Sequence, residues 1–211
     1  MKNRHISSSV INRLPRYFRF LGEFKKSGIS RFSSSQLAEK MKLTASQIRQ
    51  DLNCFGGFGQ QGYGYNTDLL YNEMAEILGV NLGCNAIILG VGKLGVVVAE
   101  NMDFNKYGFN LVGAFDVSPE VIGKNVAGLE VKHTDCLEEF CKEHNPKAAF
   151  LCVPSSAAEI LCEKLAKLGV KGFWNFSHYD ILVAYPDVSV ENVHFGDALM
   201  RLSYKIKNND K

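Results

Sequence analysis

Three glycines and one acid carry the most specific chemistry in this chain of 211 residues. In Ala86-Ile-Ile-Leu-Gly-Val-Gly-Lys-Leu-Gly95 a short apolar run enters Gly90-x-Gly92-x-x-Gly95, with Val91, Lys93 and Leu94 in the variable places. A second apolar run, Leu111 to Phe115, follows, and Asp116 closes it. That order is what a dinucleotide-binding βαβ unit needs. The first glycine permits the tight turn, and the second lets a pyrophosphate approach the backbone. The third lets the helix pack on its strand, with the helix N-terminus facing the phosphates. Asp116 stands 21 residues past Gly95, near the separation expected of a carboxylate that binds the adenosine ribose 2′-OH. Like charges would repel a 2′-phosphate there, so NAD(H) is expected and NADP(H) is not. The chain lacks GxxxxGK[ST], which removes a P-loop nucleotidase. The bland alternative is a sheet whose glycines serve only helix–strand packing, with the carbon stem of Lys93 packed rather than its ammonium on phosphate.

The elements around the motif continue the pattern. Thr134 to Glu143 reads as a helix, Ala148 to Val153 as a buried strand ending at Pro154, and Gly172 to Phe176 as another strand. Between these strands Ser156-x-x-Glu159 opens a capped helix with Ile160, Leu161, Leu165 and Leu168 inward. This succession gives a mainly parallel, doubly wound sheet of Rossmann type, with its ligand across the carboxyl ends of the strands. Val153, Pro154, Asn175 and Phe176 then surround the nicotinamide half of the cofactor. A final helix, about Gly196 to Lys207, sets Phe195, Leu199, Leu202 and Ile206 on one stripe, which either covers its own sheet or docks on a second subunit.

Upstream lies a different chemistry. Residues 1–65 hold 11 Lys and Arg against three acids, whereas the remainder holds 13 against 19. Such a split suggests a polyanion-binding module joined to something else, with domains at 1–80 and 81–211. Ser33-x-x-Gln36 and Thr44-x-x-Gln47 are capping-box patterns 11 residues apart. They start two short helices, about 34–41 and 45–53, which form a helix-turn-helix. In the second helix Ile48 and Leu52 point inward, so Ser46, Arg49, Gln50 and Asn53 project outward. Arginine and amides are the side chains that reach base edges in a major groove, and this face carries no acid. The run Phe55 to Tyr65 alternates aromatics with glycines and suits a hairpin turning near Gln60 and Gln61, a wing that also presents Tyr63. Ahead of these, Ile11, Leu14, Tyr17, Phe18 and Leu21 follow a helical period, with Pro15 in the first turn. Arg13, Arg16 and Arg19 on that helix meet phosphates or a neighbouring domain.

Composition excludes several classes. With 46% hydrophobic and 22% charged residues the chain is an ordinary globular protein. No stretch approaches a membrane span of about 20 apolar residues. Lys2, Arg4 and His5 run into serines rather than an apolar core, so a secretory signal is not expected and a cytoplasmic location is. The six cysteines form no CxxC pair, and neither metal nor disulfide is expected.

Taken together, the residues resemble the Rex family of redox-sensing transcriptional repressors over nearly the whole chain. The resemblance rests on Thr44-Ala-Ser-Gln-Ile-Arg-Gln-Asp-Leu52 running into the Phe55–Tyr65 wing, on Gly90–Gly95, on Ala114-Phe-Asp116, on Cys152-Val-Pro154 and on Gly172-Phe-Trp-Asn-Phe176. It implies a winged helix-turn-helix domain, an NAD(H)-binding Rossmann domain and a C-terminal helix exchanged between the subunits of a homodimer. It also implies a palindromic double-stranded operator that is released when NADH binds, while NAD⁺ competes more weakly. On this resemblance Thr44, Ser46, Gln47, Arg49 and Gln50 serve the DNA contact, the wing enters the minor groove, and Arg19 belongs to a helix facing the Rossmann domains. Three positions depart from the pattern. Some members carry a basic residue where Gln60 and Gln61 stand. Some carry tyrosine at Asn101 and aspartate at His194, in a switch network with the N-terminal arginine that cannot form here in the same way.

An NAD-dependent dehydrogenase with an appended basic domain is the rival, since it shares the glycine motif. It needs an acid–base group at the hydride centre. His133, His144, His178 and His194 qualify by residue type only, and catalysis leaves residues 1–65 without a purpose. A CoA- or nucleotide-binding regulator on a similar sheet is a third reading. No enzyme is expected.

Overall fold

A computed structural model describes residues 6–56, 58–60 and 63–209. The chain divides into two compact units, Met1–Asn81 and Leu82–Lys211. Among the described residues no helix is long and apolar enough to cross a membrane.

The first unit contains α1 (Ser8–Ile11), α2 (Leu14–Lys26), β1 (Arg31–Phe32), α3 (Ser34–Met41), α4 (Ala45–Asn53), β2 (Gly59–Gln60), β3 (Gly64–Asn66) and α5 (Thr67–Leu78). One apolar cluster joins them: Leu14, Tyr17, Leu21 and Phe24 of α2, Leu37 and Met41 of α3, Ile48 and Leu52 of α4, and Leu70 and Met74 of α5. The small sheet, in the order β1-β3-β2, is antiparallel. It sets Phe32 against Tyr65 with ring centroids 5.5 Å apart. Pro15 lies in the first turn of α2, as expected. The expected continuous helix from Ile11 is instead two, and Ile11 is exposed. The break falls at Asn12 and Arg13, one turn ahead of the proline, whose ring would clash with a helical carbonyl four residues back.

Both helix starts of the helix-turn-helix are capped, but differently. Ser33 and Gln36 form the full reciprocal box. Thr44 Oγ1 accepts from the Gln47 amide at 3.1 Å, while the Gln47 side chain turns away to Asp51, so the second box is half made. Between them Lys42 adopts a left-handed φ of 52°, and Leu43 packs partly on the core. Gln61, at the expected hairpin tip, lies outside the described residues.

The second unit contains β4 (Cys84–Leu89), α6 (Lys93–Asn101), β5 (Phe109–Asp116), β6 (Asn125–Val126), β7 (Leu129–His133), α7 (Leu137–His144), β8 (Ala148–Leu151), α8 (Ser155–Lys167), β9 (Gly172–Asn175), α9 (Ile181–Ala184), β10 (Ser189–Asn192) and α10 (Phe195–Asn209). Its sheet runs β10-β9-β8-β4-β5-β7-β6 and is parallel except at β6. Alternation along β4 splits the core: Ile87 and Leu89 join Phe140, Cys162 and Leu165, while Ala86 and Ile88 join Val98, Ala99 and Phe150. Thus α7 and α8 cover one face and α6 the other. Two expectations for α8 fail. Pro154, not a hydroxyl side chain, occupies its N-cap, and no side chain caps it. Ile160, expected inside, is 71% exposed, because the helix rests on Ala158, Cys162 and Leu165.

Candidate functional site

The glycine motif forms the turn between β4 and α6. Gly90 has φ +87°, and a Cβ there would stand 2.5 Å from the Cys152 carbonyl oxygen. A Cβ at Gly95 would collide with the Gly90 carbonyl oxygen, so the third glycine is what lets α6 lie against the turn. Gly92 differs from both: nothing lies within 4 Å of the Cβ position. It is the N-cap of α6 and supplies no side chain to cap the N–H groups of the first turn. Val91 is buried behind the turn, Leu94 is half-buried, and Lys93 is exposed.

Asp116 ends β5 beside this turn. Its Oδ2 accepts from the Val91 amide at 2.6 Å, and its Oδ1 accepts from the Val117 and Ser118 amides at 2.7 and 2.9 Å. Three backbone donors fix the carboxylate, and a carboxylate has about four acceptor positions. One remains for a hydroxyl. An uncapped helix start, a bare backbone at Gly92 and an anchored acid together fit the pyrophosphate and ribose of a dinucleotide.

Beyond β4, in the other direction, the ends of β8 and β9 supply the remaining predicted residues. Val153 is half-buried, Pro154 is exposed, and the half-buried Phe176 has Trp174 4.6 Å away, centroid to centroid. Asn175 is fully enclosed, and both ends of its amide are used internally. Its Nδ2 donates to the Tyr179 carbonyl at 3.0 Å and to Asn192 Oδ1 at 2.8 Å. Its Oδ1 accepts from the Ser177 amide and hydroxyl at 3.0 and 2.6 Å. The side chain therefore ties β9, β10 and the following loop together and has nothing left to offer a ligand.

The face expected to meet nucleic acid lies on α4. Ser46, Arg49, Gln50 and Asn53 are all exposed, as the inward pair Ile48 and Leu52 requires, and Thr44 is exposed at the cap. Arg49 Nη1 donates to Ser34 Oγ, at the start of α3, at 3.0 Å. On the wing, Tyr63 is 71% exposed, and Arg31 Nη1 donates to its carbonyl oxygen at 3.3 Å.

Two residues expected at DNA are engaged elsewhere. Arg13 donates through Nε and Nη2 to the two oxygens of Asp51, and Gln47 Nε2 donates to Asp51 Oδ1 at 2.8 Å. Tyr17 adds its hydroxyl to Asp51 Oδ2 at 2.7 Å. Asp51 is 1% exposed, so α4 is bolted to α2 through a buried carboxylate. Burial alone would raise the Asp51 pKa, but hydrogen bonds from Arg13, Tyr17 and Gln47 outweigh it and hold the carboxyl below its usual range. The sequence signal for this role of Asp51 is its place on the inward stripe of α4 with Ile48 and Leu52.

The three residues expected in a switch each have local partners. Asn101 donates to the Val97 carbonyl of its own helix at 3.0 Å. His194 Nε2 lies 3.0 Å from the Ser177 carbonyl oxygen and Nδ1 lies 3.6 Å from Asp197 Oδ2. Arg19 is exposed, with its guanidinium 5.7 Å from the Phe20 ring centroid. On α10, Phe195, Leu199, Leu202 and Ile206 are all exposed, so the stripe does not cover its own sheet. Among the described residues no three His, Cys, Asp or Glu gather as metal ligands.

Residues 5–53 match the family model described as "Putative DNA-binding protein N-terminus", and residues 83–179 match the "CoA binding domain" model. A redox-sensing transcriptional repressor Rex of Clostridium perfringens is 44% identical over 209 residues, 99% of this chain and 98% of the relative. The Rex of Caldicellulosiruptor saccharolyticus is 46% identical over 97% of this chain and 93% of its own. Among solved structures, RSP in complex with β-NAD⁺ and operator DNA is similar with a TM-score of 0.92 and 44% identity, covering 99% of this chain and 95% of that one. RSP in complex with β-NADH is similar with a TM-score of 0.87 and 41% identity, over 99% and 97%.

Proposed function

The chain belongs to the Rex family of redox-sensing transcriptional repressors, and from that premise we propose that it represses as a homodimer, its N-terminal units on operator DNA and NADH at the glycine turns acting as the release signal. It is a DNA-binding repressor rather than an enzyme, and the dehydrogenase reading is not favoured. The observation that carries the proposal is the coexistence of an exposed, acid-free reading face on α4 with an open glycine turn beside an anchored acid.

In this reading Arg49 and Gln50 reach base edges, while Thr44, Ser46 and Arg16 meet the backbone, and Gln60, Gln61 and Tyr63 belong to the wing. Arg13 and Gln47 act one step back, by fixing α4 through Asp51. At the other site Gly90, Gly92, Gly95 and the amides at the start of α6 seat the pyrophosphate, with Val91 and Leu94 as walls and Lys93 beside the phosphates. Asp116 takes the ribose hydroxyl, and Val153, Pro154 and Phe176 flank the nicotinamide. Asn175 shapes that pocket by holding its loop. Arg19, Asn101 and His194 stand where the resemblance puts the switch, but with asparagine and histidine at the last two the polar network of relatives with tyrosine and aspartate is not formed in the same way. The exposed stripe of α10 packs on the second copy, and a palindromic operator matches such a pair. The cytoplasm, where operators are reached, is its place of work.

The physics is linkage. If NADH prefers the conformation that cannot hold DNA, DNA must weaken NADH by the same factor. Fluorescence anisotropy of a labelled palindromic operator, titrated at fixed salt with NADH and then with NAD⁺, tests this directly. Release by NADH at concentrations where NAD⁺ leaves the complex intact is expected. Equal operator affinity with and without saturating NADH would remove the sensor.

A further inference from the structure

The loop after β9 and the start of α10 are stitched together by polar contacts. The Val193 amide donates to the Asn175 carbonyl at 2.8 Å, and Asn175 Oδ1 accepts from the amide and hydroxyl of Ser177. Ser177 is buried, and its carbonyl oxygen lies 3.0 Å from His194 Nε2. A carbonyl only accepts, so Nε2 carries a hydrogen. Across the ring, Nδ1 lies 3.6 Å from Oδ2 of Asp197, in the first turn of α10. A carboxylate also only accepts. His194 therefore stands between two acceptors, one on the loop and one on the helix.

A neutral imidazole has one N–H and cannot serve both. With its hydrogen on Nε2, a bare Nδ1 lone pair faces the Asp197 carboxylate. Once Nδ1 takes a proton from water, the same geometry sets two donors on two acceptors, and the contact to Asp197 becomes an ion pair. The side chain is 24% exposed, so water reaches it. Among the described residues, the titratable groups set against the ring are Asp197 on α10 and His178 after β9, whose ring centroid is 5.2 Å away. Asp197 favours the cation. His178 opposes it only when itself charged, and it is exposed, so solvent screens the pair. The amino end of α10 opposes it too, and Asp197 lies in that same turn to offset it.

Side chains 195–208 of α10 are all exposed, so contacts at its root set the direction of the helix. Resting on the reading that α10 packs on a second copy, we propose that His194 is a proton-operated clasp: protonation ties the first turn of α10 to the Ser177 loop and strengthens the pairing of two copies. The repressor then answers to pH as well as to nucleotide.

The test uses the full chain. NMR of the imidazole nitrogens, with the His194 signals identified by their loss in His194→Gln, follows the ring from about pH 8 to about pH 5, where imidazole titrates. Nε2 should stay protonated throughout, and Nδ1 should gain its proton on acidification. The carboxyl carbon of Asp197 should shift in step in wild type and not in His194→Gln. Sedimentation equilibrium then compares pairing at about pH 6 and about pH 8. Wild type and His178→Gln should pair about threefold to fivefold more tightly at the lower pH, the scale of one partly exposed ion pair. His194→Gln keeps a donor for Ser177 without the charge, and Asp197→Asn removes the carboxylate, so both should pair equally at the two pH values. Melting temperatures confirm that each variant is folded. Wild-type pairing that ignores pH, or a pH response that persists in His194→Gln, would overturn the clasp. A chain that stays monomeric at both pH values would overturn the pairing reading itself, which separates the two failures.

Discussion

The Arg13 guanidinium grips the Asp51 carboxylate with two hydrogen bonds, Nε to Oδ2 at 2.6 Å and Nη2 to Oδ1 at 2.9 Å. The carboxylate is buried, whereas the arginine keeps 27% of its side chain exposed. Breaking such a pair from the buried side is costly, since the remaining charge loses its partner and Tyr17 and Gln47 lose their acceptor. Asp51→Ala should lower stability by about 3 kcal/mol in urea unfolding. Arg13→Ala should weaken operator binding as well as stability, with little change in the salt dependence of binding, because Arg13 acts by holding α4 rather than on a phosphate.

The same carboxylate sets a pH response. Its folded-state pKa is depressed, so the group stabilises the fold at pH values above the unfolded carboxylate range, near pH 4. That contribution disappears as pH falls through the lower, folded value. Thermal unfolding between pH 7 and pH 2 should show a steeper acid loss for wild type than for Asp51→Asn. Parallel curves would refute the assignment.

The two outer glycines of the motif and the middle one should separate cleanly. Gly95→Ala drives a methyl into the Gly90 carbonyl oxygen and should destabilise the second unit, seen as a lower melting temperature. Gly92→Ala meets no protein atom and keeps an extended φ of −77° open to any residue, so it should cost no more than the roughly 1 kcal/mol that separates glycine from alanine at an N-cap, a fall of only about 2–6 °C in melting temperature. Its methyl does enter the space assigned to pyrophosphate, so NADH affinity should fall by more than tenfold. A Gly92→Ala protein that binds NADH normally would move the nucleotide elsewhere.

On α4, Arg49→Ala and Gln50→Ala should each cost about 1–3 kcal/mol of operator affinity and relax preference at one base position, as direct base contacts do. Binding to a set of single-base operator variants reads this out. A uniform loss across the set would make the residue a backbone contact instead.

Much of this was legible in the sequence because it follows local rules. The bounds of α3 and α4 came from capping hydroxyls and apolar spacing, and the glycine turn from its motif. What escaped was set by tertiary packing. Ile160 is expected inside because it is large and aliphatic, yet the buried stripe of α8 runs through Ala158, Cys162 and Leu165, and Ile160 is out of phase with it. β7, Leu129-Glu-Val-Lys-His133, does alternate apolar with charged residues but over a single short run, and β10, Ser189-Val-Glu-Asn192, holds one apolar residue. Asn175 carries the residue type of a ligand contact, and only the structure shows both ends of its amide already engaged.

Thiol chemistry should follow burial. Desolvation pushes the Cys152 and Cys162 thiols up to about 12 and raises that of Cys141. Only thiolate reacts with iodoacetamide, so at pH 8 the exposed Cys136 should alkylate first and these three should resist until the protein unfolds. Peptide mass mapping over time resolves the order.

The bare apolar stripe of α10 ties the repressor's integrity to how much of it is present. Phe195, Leu199, Leu202 and Ile206 are left in water by the chain's own sheet. With the stripe covered by a second copy, as proposed, dilution would act as a mild denaturant, and a cell holding few copies would hold a less robust protein.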